Sequence, residues 1–180
     1  MSTPALKPLD GSRGSPFVPT GNPMVDGVGP ATYADRPDHP DHTIHGGPKV
    51  IPLRFAPTFC LEEKDPNPRG LKVKACDGQI AGTIVDVWID QSEPQVRYYE
   101  VNLAGSDQIV LLPVMYVQWP NFGLTKTDHV LVKAITAAQF RDVPRTKSPM
   151  QITLLEEDKI CAYYAGGHLY ATPKRAEPYL

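Results

Sequence analysis

Between Leu71 and Ala134 the apolar residues fall mostly at strand spacing. Residues 71–76 alternate, and Asp77-Gly78 follows, a pair that tolerates positive φ and closes tight hairpins. The spacing predicts a return strand over 80–90. Alternation puts Ala81, Thr83, Val85, Val87 and Ile89 on its core face and Gly82, Ile84, Asp86, Trp88 and Asp90 on the other. A face carrying Trp88 beside carboxylates suits either a contact surface or the closed end of a barrel. Further strands are predicted over 96–103, 108–117 and 129–134. The stretch 108–117 is apolar on both faces, which places it centrally in a sheet or under a partner. Short strands joined by tight turns imply a small antiparallel barrel or twisted sheet.

The pattern then turns helical. Thr153-Leu154-Leu155-Glu156 has capping-box spacing, with acidic residues through Asp158 in the first turn, where they complement the helix dipole. Ile160, Tyr163, Tyr164, Gly167 and Tyr170 form an apolar stripe, and Gly166-Gly167 is expected to weaken or bend the helix. A shorter helical turn is expected near 136–140. The other end of the chain is different. Thirteen of the 20 prolines lie in the first 68 residues, so this stretch reads as extended segments and turns. Phe17, Val18, Met24, Val25, Val28 and Tyr33 are spaced along it as in a strap lying on another body. The organisation expected is a strap over 1–68, a barrel over 69–135 and a helical segment with a tail over 136–180.

Composition adds exclusions. With 41% hydrophobic and 21% charged residues and a formal net charge of -2, the chain reads as an ordinary globular protein with no general attraction for nucleic acid. Cys60, Cys76 and Cys161 have neither an even count nor CxxC spacing, which favours buried, reduced thiols over disulfides or structural zinc. The longest apolar run, Ile109 to Val117, is about half the roughly 20 residues a membrane span requires, and it contains Pro113. The N-terminus has no signal-peptide pattern, so the chain taken alone reads as soluble and unexported. No GxSxG, HExxH, P-loop or GxGxxG pattern occurs, which argues against an independent enzyme.

Three blocks carry a resemblance. They are residues 19–31 (PTGNPMVDGVGPA), residues 82–90 (GTIVDVWID), and residues 154–161 (LLEEDKIC) continuing through Tyr164-Ala165-Gly166-Gly167 to Pro173-Lys174-Arg175. In this order they resemble the H subunit of the purple-bacterial photosynthetic reaction centre, whose cytoplasmic part is a PRC-type β-barrel. The resemblance implies a mainly β fold with α: an antiparallel PRC-type barrel, a proline-rich N-terminal strap and a C-terminal helix. It implies a subunit without pigment that covers the L and M subunits on the cytoplasmic face of the photosynthetic inner membrane. There it would stabilise the complex and aid proton delivery and electron transfer to the secondary quinone. Bacteriochlorophyll, bacteriopheophytin, quinones and iron would belong to the partner subunits, and light-harvesting polypeptides are further expected neighbours. Members of that family begin with a transmembrane helix that this sequence lacks. The resemblance therefore implies a helix removed from this form or carried on a separate chain. PRC-barrel-like domains also serve in RNA maturation, but the low charge and the lack of a basic aromatic patch oppose that use.

Proton delivery needs titratable groups in series. His39, His42 and His45 fall at threes in a loop with Asp38 and Asp41 between them. On their own they read as a solvated polar loop or, alternatively, a weak metal site at His42 and His45. The resemblance places His45 at the family's proton-uptake point. It puts Gly47 where the family has a second histidine, so His42 or His39 is the expected substitute. Glu93, on its own an exposed turn carboxylate, matches a family glutamate near the secondary quinone, with Arg97 as its partner and Asp90 as an adjacent acid. Trp88, Pro23, Met24 and Tyr33 are the expected interface residues.

Overall fold

The computed structural model describes residues 6–120 and 127–176. Strands β1 (Leu6–Pro8) and β2 (Phe17–Pro19) form a small antiparallel ribbon. The main sheet comprises β3 (Val50–Pro52), β4 (Lys72–Lys74), β5 (Ile80–Asp90), β6 (Gln95–Leu103), β7 (Ile109–Pro113), β8 (Val117–Gln118) and β9 (His129–Val132). Its order is β7-β6-β5-β4-β9-β8, with β3 pairing to the far end of β5. All pairs are antiparallel except β4 with β9. The sheet curls as a half-barrel around Val73, Val87, Val101, Leu112 and Val132, all buried. The fold is mainly β with one long helix, α1 (Leu154–Tyr170).

The hairpin after β4 forms as its turn chemistry predicts. Gly78 has a φ of 80°, and Ala75 and Gln79 pair across the turn. The face assignment of β5 needs correction. Thr83 and Val85, expected in the core, are exposed, whereas Ile84, Asp86, Trp88 and Asp90 are buried. Register shifts between Ile84 and Asp86, and again between Trp88 and Ile89, break the alternation. The second half of β5 is also covered from both sides, because Val50–Pro52 pairs with Trp88–Asp90. Gly82 suits the crossing with β6: a Cβ there would run into the Asn102 carbonyl oxygen.

The apolar run after Gln108 is not central. β7 is a sheet edge, and the chain's own helix covers it. The Tyr164 hydroxyl donates to the Leu111 carbonyl at 3.3 Å, and Tyr116 in the following 3-10 turn donates to the Cys161 carbonyl at 3.1 Å. The helical turn near 136–140 is a 3-10 turn over Ala138–Asp142.

α1 starts where the capping box predicts. Thr153 Oγ1 accepts from the Glu156 amide at 3.1 Å, and Glu156 Oε2 accepts from the Thr153 amide at 2.9 Å. The expected glycine weakness is a packing device instead. Side chains at Gly166 and Gly167 would collide with Ala31 and with the Ala134 carbonyl, so the pair lets the strap and the β9 connection approach the helix. Arg175 then donates to the carbonyls of Lys133, Ala134 and Gly167, tying the helix end to the same connection.

Much of the strap's supporting body is the chain itself. The Leu154 and Leu155 amides, left over at the helix start, donate to the His39 and Pro37 carbonyls. Asp38 accepts from Thr153 Oγ1 at 3.0 Å and pairs with Lys147. Met24 and Val28 are buried, so Met24 is a core residue rather than a free contact residue. Phe17, Val25 and Tyr33 remain exposed on the strap. All three cysteines are free, and none is fully buried: Cys60 is exposed, and Cys76 and Cys161 are half-buried.

Candidate functional site

The titratable groups gather where the end of β5 meets the histidine loop, β6 and the first turn of α1. Asp90 is the last residue of β5 and has no solvent exposure. Its Oδ1 accepts from the Ser92 and Glu93 amides at 2.9 and 3.1 Å, which shapes the turn into β6. Its Oδ2 makes no hydrogen bond within the protein. Two cations face it instead at ion-pair distance: Lys49 Nζ at 3.5 Å and Arg97 Nη1 at 3.7 Å. Lys49 also reaches Asp41 Oδ2 at 3.8 Å. Glu93 is exposed beside this corner, where it meets the Gln95 amide group at 3.5 Å.

α1 adds a fourth wall. Glu157 Oε1 accepts from the Tyr98 hydroxyl at 3.0 Å. Burial pushes the Glu157 carboxyl above the usual carboxylate range. The Tyr98 hydrogen bond and the Arg97 charge work against that rise, and the Asp41 and Asp90 charges add to it. Burial likewise pushes the Tyr98 phenol up. The corner thus joins Asp41, Lys49, Asp90, Arg97, Tyr98 and Glu157, contributed by four parts of the chain: the histidine loop, β5, β6 and α1.

Two family models match this chain in succession. The photosynthetic reaction centre H-chain N-terminal region matches residues 2–55, and the PRC-barrel domain matches residues 62–139. The chain is an H-chain-like protein of the photosynthetic reaction centre. The H-chain match spans the strap and the histidine loop that supply Asp41 and Lys49, and the barrel match supplies Asp90, Arg97 and Tyr98.

Within this H-chain-like architecture the expected site residues part company. Asp90, Glu93 and Arg97 converge on one corner. His39, His42 and His45 are all exposed in the neighbouring loop, with the His39 and His42 rings 6.0 Å apart. The loop is closed by Thr43 donating to the Gly47 carbonyl and Lys49 donating to the Asp41 carbonyl. Among the described residues no group of three or more metal-ligating side chains is placed to hold an ion. Trp88, expected on an outward contact face, is only 1% exposed. Its indole N–H donates to Glu100 Oε2 at 2.7 Å, on the same buried side of β5 as Ile84 and Asp86. Pro23 is half-buried and Tyr33 exposed, with Lys159 5.2 Å above the Tyr33 ring.

Two participants escaped the sequence reading. Glu157 read only as a charge favouring the helix start, since nothing local shows that α1 delivers it to Tyr98. Lys49 drew no reading at all. Its signal would have been its place immediately before the apolar Val50-Ile51, where a strand can carry a side chain down to the sheet.

Proposed function

We propose that this reaction-centre subunit caps the cytoplasmic side of the L and M subunits and helps deliver protons to the secondary quinone. The observation that carries the reading is the Asp90 corner. A fully buried carboxylate faces two cations at more than hydrogen-bond distance and adjoins an exposed, histidine-bearing loop. Titratable groups in series from solvent to interior are what proton delivery requires. The reading makes the chain a non-catalytic subunit, as its match to the reaction-centre H-chain suggests. Pigments, quinones and iron belong, in this reading, to the partner subunits. Among the described residues no helix is long and apolar enough to cross a membrane.

Docking has its own support. Phe17, Val25 and Tyr33 stay exposed along the strap although Met24 and Val28 turn inward. Beside them Val18, Pro19, Pro23, Tyr170 and Pro173 line a groove of about 420 Å³. Such apolar surface is suited to burial against another subunit. Glu93 stands at the mouth of the corner and is the natural point of contact with a quinone-bearing partner. In the intact complex, Glu93→Gln is expected to slow transfer of the second electron to the secondary quinone about tenfold or more, within the range of acid–base assistance. Unchanged kinetics in a fully assembled complex would overturn the proton-delivery role.

A further inference from the structure

Exposure falls in steps along three of the corner's charges. The side chain of Asp41 is 53% exposed, that of Lys49 24%, and that of Asp90 0%. Lys49 is the middle step, and its ammonium stands within ion-pair distance of both carboxylates, at 3.8 Å from Asp41 and 3.5 Å from Asp90. The main chain fixes it from both sides. Its amide donates to the Asp41 carbonyl at 2.7 Å, and its carbonyl accepts from the Gln91 amide at 2.9 Å. The Gln91 side chain also donates to the Pro48 carbonyl at 2.8 Å. A long, flexible side chain is thereby anchored at its root, which lowers the entropy lost in holding its end between two acids.

We propose that Lys49 is the positioning residue that couples the exposed histidine loop to buried Asp90. This rests on the proton-delivery reading above. Lys49 holds Asp41 and Asp90 on a single ammonium, so a proton taken up at the loop and carried by the Asp41 carboxyl has one defined receiver. Transfer leaves Asp41 as the carboxylate and Asp90 as the acid, with no other bond changed. The separations of 3.5 and 3.8 Å exceed ordinary hydrogen bonds, so the passage runs through solvent ordered between the groups rather than by direct contact. The other charged groups near Asp90 are Arg97 from β6 and Glu157 from α1, whose carboxyl feels the Asp90 charge; Glu93 meets Asp90 through its backbone amide. Lys49 alone of the groups at Asp90 forms, among the described residues, an ion pair with Asp41 as well. Arg97 faces the same Asp90 Oδ2 at 3.7 Å and, among the described residues, has no ion pair with the loop.

A purely structural tie would behave differently, and the test separates the two. Complexes carrying Lys49→Met, Lys49→Arg and Glu93→Gln are compared for flash-induced proton uptake and second-electron transfer, with assembly checked by pigment absorbance. Lys49→Met is expected to slow both about tenfold. Lys49→Arg should keep most of the rate, and added imidazole, a small diffusible acid, should restore the Met variant. Slow Met complexes that neither arginine nor imidazole restores would reduce Lys49 to a structural tie and overturn the inference. Normal rates in Lys49→Met with slow rates in Glu93→Gln would overturn the inference alone. Normal rates in both would overturn the proton-delivery reading with it.

Discussion

Two buried acidic clusters sit on the same pair of strands, and they are built oppositely. In the first, Asp86 and Glu100 face each other across β5 and β6. Arg54, from the 3-10 turn after β3, donates from Nη1 to Asp86 at 2.9 Å and to Glu100 at 2.8 Å. Its Nη2 donates to the Pro149 carbonyl at 3.2 Å, and Trp88 closes the remaining side of Glu100. In the second, Asp90 meets Lys49 and Arg97 only at 3.5 and 3.7 Å. Each cluster leaves one buried carboxylate oxygen, Asp86 Oδ1 or Asp90 Oδ2, without a hydrogen bond among the described residues, so the difference lies in how closely the cations approach. The first cluster spends its donors on short, directional bonds that join the strap, the barrel and the segment before α1. The second keeps its charges apart. Burial opposes the Arg54 charge, yet the hydrogen bonds to Glu100 and Asp86 hold its guanidinium firmly protonated. Charge networks held by short direct hydrogen bonds hold architecture, and those paired only at longer range leave space for a proton to move.

The contrast breaks most visibly in stability. Arg54→Met leaves two buried carboxylates without their shared cation. It is expected to lower the unfolding free energy by about 3 kcal/mol, as when one partner of a buried ion pair is removed. Lys49→Met leaves Arg97 facing Asp90 and should cost about 1 kcal/mol or less. Denaturant titration of the isolated chain measures both, and equal losses would erase the distinction between clasp and corner.

A smaller effect sharpens the second cluster. The Glu157 carboxyl is raised on folding, so the folded chain holds that proton more tightly than the unfolded chain does. The stability it contributes is complete below the ordinary glutamate range and is lost as pH rises through the raised folded value. Glu157→Gln should therefore flatten the fall in stability between acid and neutral pH while still accepting from Tyr98. A profile that parallels the parent's would show that Glu157 is not strained by its neighbours.

How much of this was legible in advance depended on whether the governing interaction was local. The Asp77-Gly78 turn and the Thr153–Glu156 box are decided by residues within four positions, and both form as read. The helix and the mainly β character followed from periodicity in the same way. The faces of β5 did not, because its register shifts arise from pairing with β6, and no pattern within 80–90 reveals them. Trp88 was misplaced because the side of β5 it shares with Ile84 and Asp86 is the buried one, and Met24 because the strap folds onto its own chain. Asp90, Glu93 and Arg97 were singled out by the family resemblance rather than by their spacing, since Glu93 alone read as an exposed turn carboxylate. Arg54, Lys49 and Glu157 join carboxylates or phenols that are distant in sequence, and only the fold brings them there.

The sharpest comparison is flash-induced proton uptake in intact complexes carrying Asp90→Asn or Asp86→Asn. With the corner conducting and the clasp holding structure, Asp90→Asn slows uptake about tenfold, whereas Asp86→Asn stays within about twofold of the parent. Equal slowing by the two, or slowing by Asp86→Asn alone, would contradict the division of labour between them.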